Sequence, residues 1–215
     1  MKIENTVTPS SAQWEAIING VRNPYASWDK SDSGYSFIDD GLTVVHKFVI
    51  GEKDLALMSK LARAGDDHGK FLRMIQVISN ISTSLTVWKQ LDTYKVGTVS
   101  DSTSTMHSIM NHRFSLEDFE RHEMSTSVFD DVIDELNNLR DSYLIADDPN
   151  LKAILWQAVI DLLPESYIQM RTWSANYQVL RHIYHARKGH KLREWQQFRE
   201  WIESLPYAKE LIIAT

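Results

Sequence analysis

The chain has 215 residues, 43% of them hydrophobic and 24% charged, with a formal net charge of -6. That balance suits one globular core and argues against binding polymeric nucleic acid, which relies on neutralising phosphates. Cysteine is absent, which excludes disulfides, thiolate metal sites and a cysteine nucleophile. No apolar run is long enough to cross a bilayer, and the first residues lack the apolar core of a signal peptide, so a cytoplasmic protein without a membrane association is expected.

With only eight Gly and five Pro, long helices are the default. Ser11 is placed to cap a helix carrying Trp14, Ile17, Ile18 and Val21, and Asn23-Pro24 stops it. The polar run 27–34 reads as a turn; within it Trp28-Asp29-Lys30-Ser31-Asp32 is either a capping turn or a purposeful loop. Residues 35–38 and 42–50 flank Asp39-Asp40-Gly41 and predict a β-hairpin. A helix is expected from about Asp54, with Leu55, Met58 and Leu61 on its apolar side. From His68 to Leu91 the spacing of Phe71, Ile75, Ile78, Ile81, Leu85 and Trp88 predicts one continuous helix.

The Ser/Thr tract 98–104 is too polar for core and too β-branched for a good helix, and is read as a loop. Ser115-Leu116-Glu117-Asp118 has the form of a capping box. Val128, Val132, Leu136, Leu139 and Tyr143 predict a long helix that ends before Pro149. Three more helices are predicted over 150–162, 165–186 with a break near Thr172, and 191–204. The expected class is α+β and helix-dominated, a single domain over 1–215. In it, 1–50 form an N-terminal helix and hairpin extension and 51–215 a helical core.

Chemistry-bearing residues concentrate in the C-terminal third. Leu163-Pro164 is followed by Tyr167, Gln169, Thr172-Trp173, Asn176, Leu180, Arg181-His182, Arg187, His190 and Trp195. Asn176 falls twelve residues after Pro164, and Arg187 eleven residues further on. This stretch resembles the C-terminal signature of the flavin-dependent thymidylate synthases (ThyX). There a Leu-Pro precedes aromatic-Trp-Thr-x-Asn and then Leu-Arg-x-x-x-x-Ala-Gln-Trp. The spacing is kept from Pro164 to Arg187, and Trp195 falls about two residues late. On one helix, Asn176 and Arg187 would project from the same side three turns apart, with Arg181 facing elsewhere. An Arg held there can offer a planar fork to the O2/N3 edge of a uracil and stabilise enolate-like charge. The plainer alternative is that Arg187 and His190 end a surface helix, where cations complement the dipole.

A second match lies upstream. Residues 81–104 resemble the family's Ile-Ser-Arg helix and Ser-rich turn, with Gln90 on the nucleotide-contacting Gln. Ser104 falls on the signature serine if the loop is one residue longer here, and Met106 then replaces the last Arg. Thr93-Tyr94-Lys95 stands where the family has Arg-His-Arg, and only Lys95 keeps a cation. Residues 65–71 resemble the Gly-His-x-x-Pro-Phe-Glu-His run, with Arg73 near its second His. A further phosphate-binding Arg is here Ile160. Each lost Arg–phosphate contact removes roughly 1.5–3 kcal/mol, on the order of tenfold to a hundredfold in affinity. Lys30, Lys89, Lys95 and Arg73 are candidate replacements, or ordinary solvated cations.

The resemblance implies the thymidylate synthase-complementing protein fold, a dUMP-like pyrimidine deoxynucleotide as substrate, and FAD as cofactor. It also implies NADPH and methylenetetrahydrofolate as co-substrates, and a homotetramer. Arg187 would activate the base, with Gln90 and Ser104 orienting the nucleotide. Asn176, His182, Lys95 and Arg73 would contact flavin. The departures leave two alternatives open: a relative that binds or modifies another pyrimidine nucleotide, and a non-enzymatic partner-binding protein, of a kind that phage or prophage genes carry. His182, His185, His190 and Glu194 complete no known metal motif, so no metal is expected. Trp88, Trp156 and Trp195 read as core aromatics.

Overall fold

The computed structural model describes residues 1–39, 44–120 and 127–214. A strand β1 (Lys2–Val7), which the hydropathy pattern did not signal, precedes α1 (Ser11–Arg22). Ser10 rather than Ser11 caps α1. Its hydroxyl accepts from the Gln13 N–H while the Gln13 side chain accepts from the Ser10 N–H. Ser11 instead accepts the Phe48 N–H at 3.1 Å. The helix buries Trp14, Ile17, Ile18 and Val21 and gives way to a 3-10 turn over Asn23–Tyr25. Strands β2 (Gly34–Asp39) and β3 (Val44–Val49) pair antiparallel, with Tyr35 opposite Phe48 and Phe37 opposite His46. The expected turn at Asp40-Gly41 lies outside the described residues. The loop before the hairpin is a capping device: the Asp32 carboxylate accepts the Lys53 and Asp54 N–H groups at 2.8 and 3.1 Å, closing the start of α2 (Glu52–Arg63).

The long helix expected over 68–91 does not form. A 3-10 turn (Lys70–Arg73) is followed by β4 (Gln76–Ser84) and a short α3 (Leu85–Leu91). Along β4 burial alternates: Val77, Ser79, Ile81 and Thr83 are buried while Ile78 is 43% exposed. Two of the inward positions are polar, which hid the period of two from a hydropathy reading. The 165–186 helix is corrected in the same way. Residues Ile168–Asn176 form β6, burying Gln169, Trp173 and Ala175, and only Tyr177–Ala186 are helical (α7). The Ser/Thr tract forms β5 (Thr98–Ser102), an exposed edge strand of a four-stranded sheet with order β1-β4-β6-β5.

The remaining elements are α4 (Thr105–Ser108), a 3-10 turn at Leu116–Asp118 with the Ser115 capping box in place, α5 (Ser127–Ile145), α6 (Pro149–Leu162) and α8 (Arg193–Glu203). A π-helical turn covers Lys209–Ile213. Helices thus dominate a small amount of sheet, as the α+β reading expects.

By density of internal contacts the chain divides into two units. The first comprises 1–2, 81–93 and 101–172. Its core is built from Ile109, Met110, Phe114, Phe119, Ile133, Leu136 and Val159, with Ile160 and Trp156 packed against it. Buried Asn137 accepts the Phe114 N–H and donates to the Phe114 carbonyl, satisfying backbone that no ladder reaches. The second unit comprises 3–80, 94–100 and 173–215. At its centre α7 packs against the Lys70–Arg73 turn, α8 and the π-helical turn. Arg181 ties α7 down by donating to the carbonyls of Ala62 and Ala214, and the His185 ring meets the Ile212 carbonyl at 3.0 Å.

Candidate functional site

In the second unit, α7 presents a residue of interest at each end. Asn176, the last residue of β6, is the N-cap: its side chain accepts the Val179 N–H at 3.1 Å. Arg187 is the C-cap. The two therefore stand at opposite ends of a ten-residue helix, about 15 Å of rise, rather than on one side of a continuous one. Ending a helix is thus part of what Arg187 does, as the plainer sequence reading expects.

The segment 94–98 meets residues at both ends of α7. Gly97 has φ +83°, and a Cβ there would fall 2.6 Å from Asn176 Nδ2. Only glycine fits so close an approach in that conformation. The Thr98 hydroxyl donates to the Tyr94 carbonyl at 2.7 Å, closing the turn. Tyr94 then lies beside the other half of α7. Its ring meets the His182 ring edge-on at 5.6 Å, and its hydroxyl accepts from Arg187 Nε at 2.9 Å. The Arg187 guanidinium also lies 5.4 Å from the Tyr94 ring centroid and 4.3 Å from that of Trp195.

Trp195 is fully buried, and His190 packs on it at 5.9 Å. His190 Nδ1 accepts the Leu192 N–H, so that nitrogen carries no proton. Burial, with the Arg187 charge adding to it, lowers the His190 pKa below the ordinary imidazole value. Lys95 and His182 are exposed. Arg73 is exposed on the 3-10 turn that packs against α7.

The first unit holds the other two sequence-predicted site residues, Gln90 on α3 and Ser104 just before α4. A network that sequence reasoning missed ties their segments together. The Arg171 guanidinium lies 4.3 Å above the Trp88 ring, donates from Nη1 to Asp92 at 2.9 Å, and donates from Nε to Gln169 Oε1 at 3.0 Å. Gln169 Nε2 reaches the Thr103 carbonyl at 2.8 Å, and the Gln169 carbonyl accepts from Trp88 Nε1. Asp92 is two residues from Gln90, and Thr103 adjoins Ser104. The missing signal was strand alternation: Gln169, Arg171 and Trp173 share one side of β6, and a helical reading scatters them.

Of the other cations considered, Lys89 pairs with Glu165, both on the surface. Ile160 is part of the apolar packing of the first unit and leaves no cation there. Trp88 and Trp195 are buried, as core aromatics should be, yet each also carries an arginine on its face. Among the described residues no group of three or more His, Asp or Glu could hold a metal ion. No described helix is long and apolar enough to cross a membrane.

No protein-family model matches the sequence, and no curated protein matches it. Solved structures match in three dimensions, among them two of thymidylate synthase X from Helicobacter pylori with FAD and dUMP. The first has a TM-score of 0.69 at 18% identity, covering 99% of this chain and 97% of its own. The second has a TM-score of 0.69 at 17% identity, covering 99% of this chain and 98% of its own. Identities this low speak for fold alone, and the chain has the thymidylate synthase X fold.

Proposed function

We propose that this protein binds FAD and a pyrimidine deoxynucleotide of the dUMP type, and that it methylates the base with NADPH and methylenetetrahydrofolate as co-substrates. The observation that carries the reading is Arg187: a guanidinium lodged against Trp195 and Tyr94, on a helix capped by Asn176, in a chain with the thymidylate synthase X fold. A pre-oriented planar fork of that kind suits the O2/N3 edge of uracil and the charge that develops before C5 attacks a one-carbon donor. Gln90 and Ser104 are assigned to the nucleotide, and Asn176, His182, Lys95 and Arg73 to the flavin.

The donor set fits the cofactor in one respect that the structure supports. Lys95 and Arg73 are exposed and in no ion pair among the described residues, so both can meet a diphosphate. Bound FAD would supply the redox chemistry. The chain's own residues bind, orient and polarise.

A second reading is favoured by Ile160 and by Thr93-Tyr94-Lys95: a protein that retains the fold and binds a nucleotide without turnover. Self-association belongs to both readings. Helix α6 is apolar around most of its circumference, yet only Val159 is buried, with Leu151 and Ile154 exposed at 44% and 64%. A second copy of the chain, in the expected homotetramer, is the cover assigned to it, and sedimentation at micromolar concentration tests this.

The functional reading is tested by thermal shift with FAD and with dUMP, followed by Arg187→Ala. Both ligands should raise the melting temperature of the wild type. The variant should keep its FAD response and lose its dUMP response. A nucleotide response that survives in the variant assigns the base to a different residue.

A further inference from the structure

We propose that Tyr94 is the positioning residue for Arg187, holding its guanidinium in the one orientation that can read a pyrimidine edge. This rests on the nucleotide-binding reading above and names a residue that reading does not use. The ordinary arrangement for an arginine at a helix C-terminus is a solvated side chain that samples many rotamers. Arg187 differs in three respects. Its Nε donates to the Tyr94 hydroxyl at 2.9 Å, which fixes the plane of the fork. Its face rests 4.3 Å from the centroid of the fully buried Trp195, which fixes its height. The Tyr94 ring is itself braced edge-on by His182.

Tyr94 is equally constrained through its backbone. Its carbonyl accepts the Thr98 hydroxyl, and three residues on Gly97 abuts the Asn176 side chain. A neutral phenol is well suited to this task. It accepts one hydrogen bond from the guanidinium without cancelling its charge, as a carboxylate would. In such an arrangement Tyr94 orients the arginine and the arginine meets the ligand. The segment thus contributes to base recognition by holding a cation in place, where an arginine or histidine would contribute by binding anionic groups directly.

The test compares the full-length wild type with Tyr94→Phe, Arg187→Lys and the double variant, using dUMP as the probe in isothermal titration and FAD binding as the control. Tyr94→Phe keeps the ring and removes only the acceptor. It should weaken dUMP roughly tenfold, in line with the loss of one hydrogen bond to a charged group. FAD affinity should stay unchanged, and the melting temperature should fall by no more than the loss of one part-buried hydrogen bond allows. In the Arg187→Lys background the same substitution should have little further effect, because the guanidinium it positions is gone. Tyr94→Phe binding dUMP as tightly as wild type, or losing the same factor in both backgrounds, would overturn the assignment.

A wild type that takes up no dUMP at all would sink the nucleotide reading instead. The positioning contact is then judged separately from the Arg187 Nε–H resonance in nitrogen-labelled protein. That resonance should be slow to exchange in wild type and fast in Tyr94→Phe. Equal exchange in the two proteins overturns the contact.

Discussion

Replacing Gly97 by alanine concentrates the physics of the site in a single methyl group. At φ +83° a non-glycine residue carries a strain of roughly 1–2 kcal/mol. The added Cβ would also sit 2.6 Å from Asn176 Nδ2 and 3.2 Å from Val179 Cγ2. One of them must move, and the Asn176 amide is the movable one. Displacing it breaks the cap on α7, a contribution of about 0.5–2 kcal/mol. Gly97→Ala should therefore destabilise by about 2–4 kcal/mol, lowering the melting temperature by roughly 5–15 °C in a chain of this size.

Gly189 separates the two contributions. Its φ is +70° but nothing lies within 4 Å of a Cβ there, so Gly189→Ala should show the strain alone. Gly34→Ala, with an open site and no positive φ, serves as the neutral reference. Urea unfolding followed by circular dichroism gives all three, and the slope should not change. Should Gly97→Ala melt with the wild type, or above Gly189→Ala, the contact between the 94–98 segment and the α7 cap is wrong.

Two further outcomes follow from buried charge. Asp54, fully buried, accepts from Arg22 at 2.6 Å, from Ser31 at 2.6 Å and from Ser33 at 2.5 Å. Burial, the largest influence, raises its pKa, but these hydrogen bonds and the Arg22 charge together hold it below the ordinary value of 3.8. The stability it contributes is thus complete above the unfolded carboxylate's pKa and is lost as pH falls through the lower folded one. Asp54→Asn, which leaves Arg22 buried without its counter-charge, should cost about 3–5 kcal/mol and flatten the acid limb of the stability profile; an unchanged limb would remove Asp54 as its source.

For His190 the folded pKa lies below the ordinary imidazole value, so its contribution is present above the unfolded pKa and fades as pH falls towards the folded one. In an NMR titration of Arg187→Ala the His190 pKa should rise part of the way, since burial is the larger cause and remains. No movement would mean that the guanidinium is not beside the ring.

What the sequence made legible was the fold class and the residues of the signature, and what it hid has a physical pattern. Helices α1 and α8 were readable because apolar residues at helical spacing coincide with burial, and α5 and α6 from apolar content and spacing alone, since α6 buries only Val159. Strands β4 and β6 were not, because Ser79, Thr83 and Gln169 occupy inward positions and a hydropathy scale counts them as outward. The same error displaced Asn176: its spacing to Arg187 was read along one helix, when a strand ends at Asn176 and the helix begins after it. Tyr94 was visible only as a departure from Arg-His-Arg. Its contact with Arg187 bridges residues far apart in sequence, which local pattern cannot reveal. Arg171 was passed over for the related reason that its partners, Trp88, Asp92 and Gln169, converge only once β6 is seen as a strand.

The most direct test of the account is the visible absorption spectrum of the purified protein as FAD is titrated in and dUMP is then added. The expected result is a saturable bound-flavin spectrum that shifts on adding dUMP, with the shift lost in Arg187→Ala. A protein that stays colourless after removal of free FAD, and whose spectrum dUMP leaves unchanged, would contradict it.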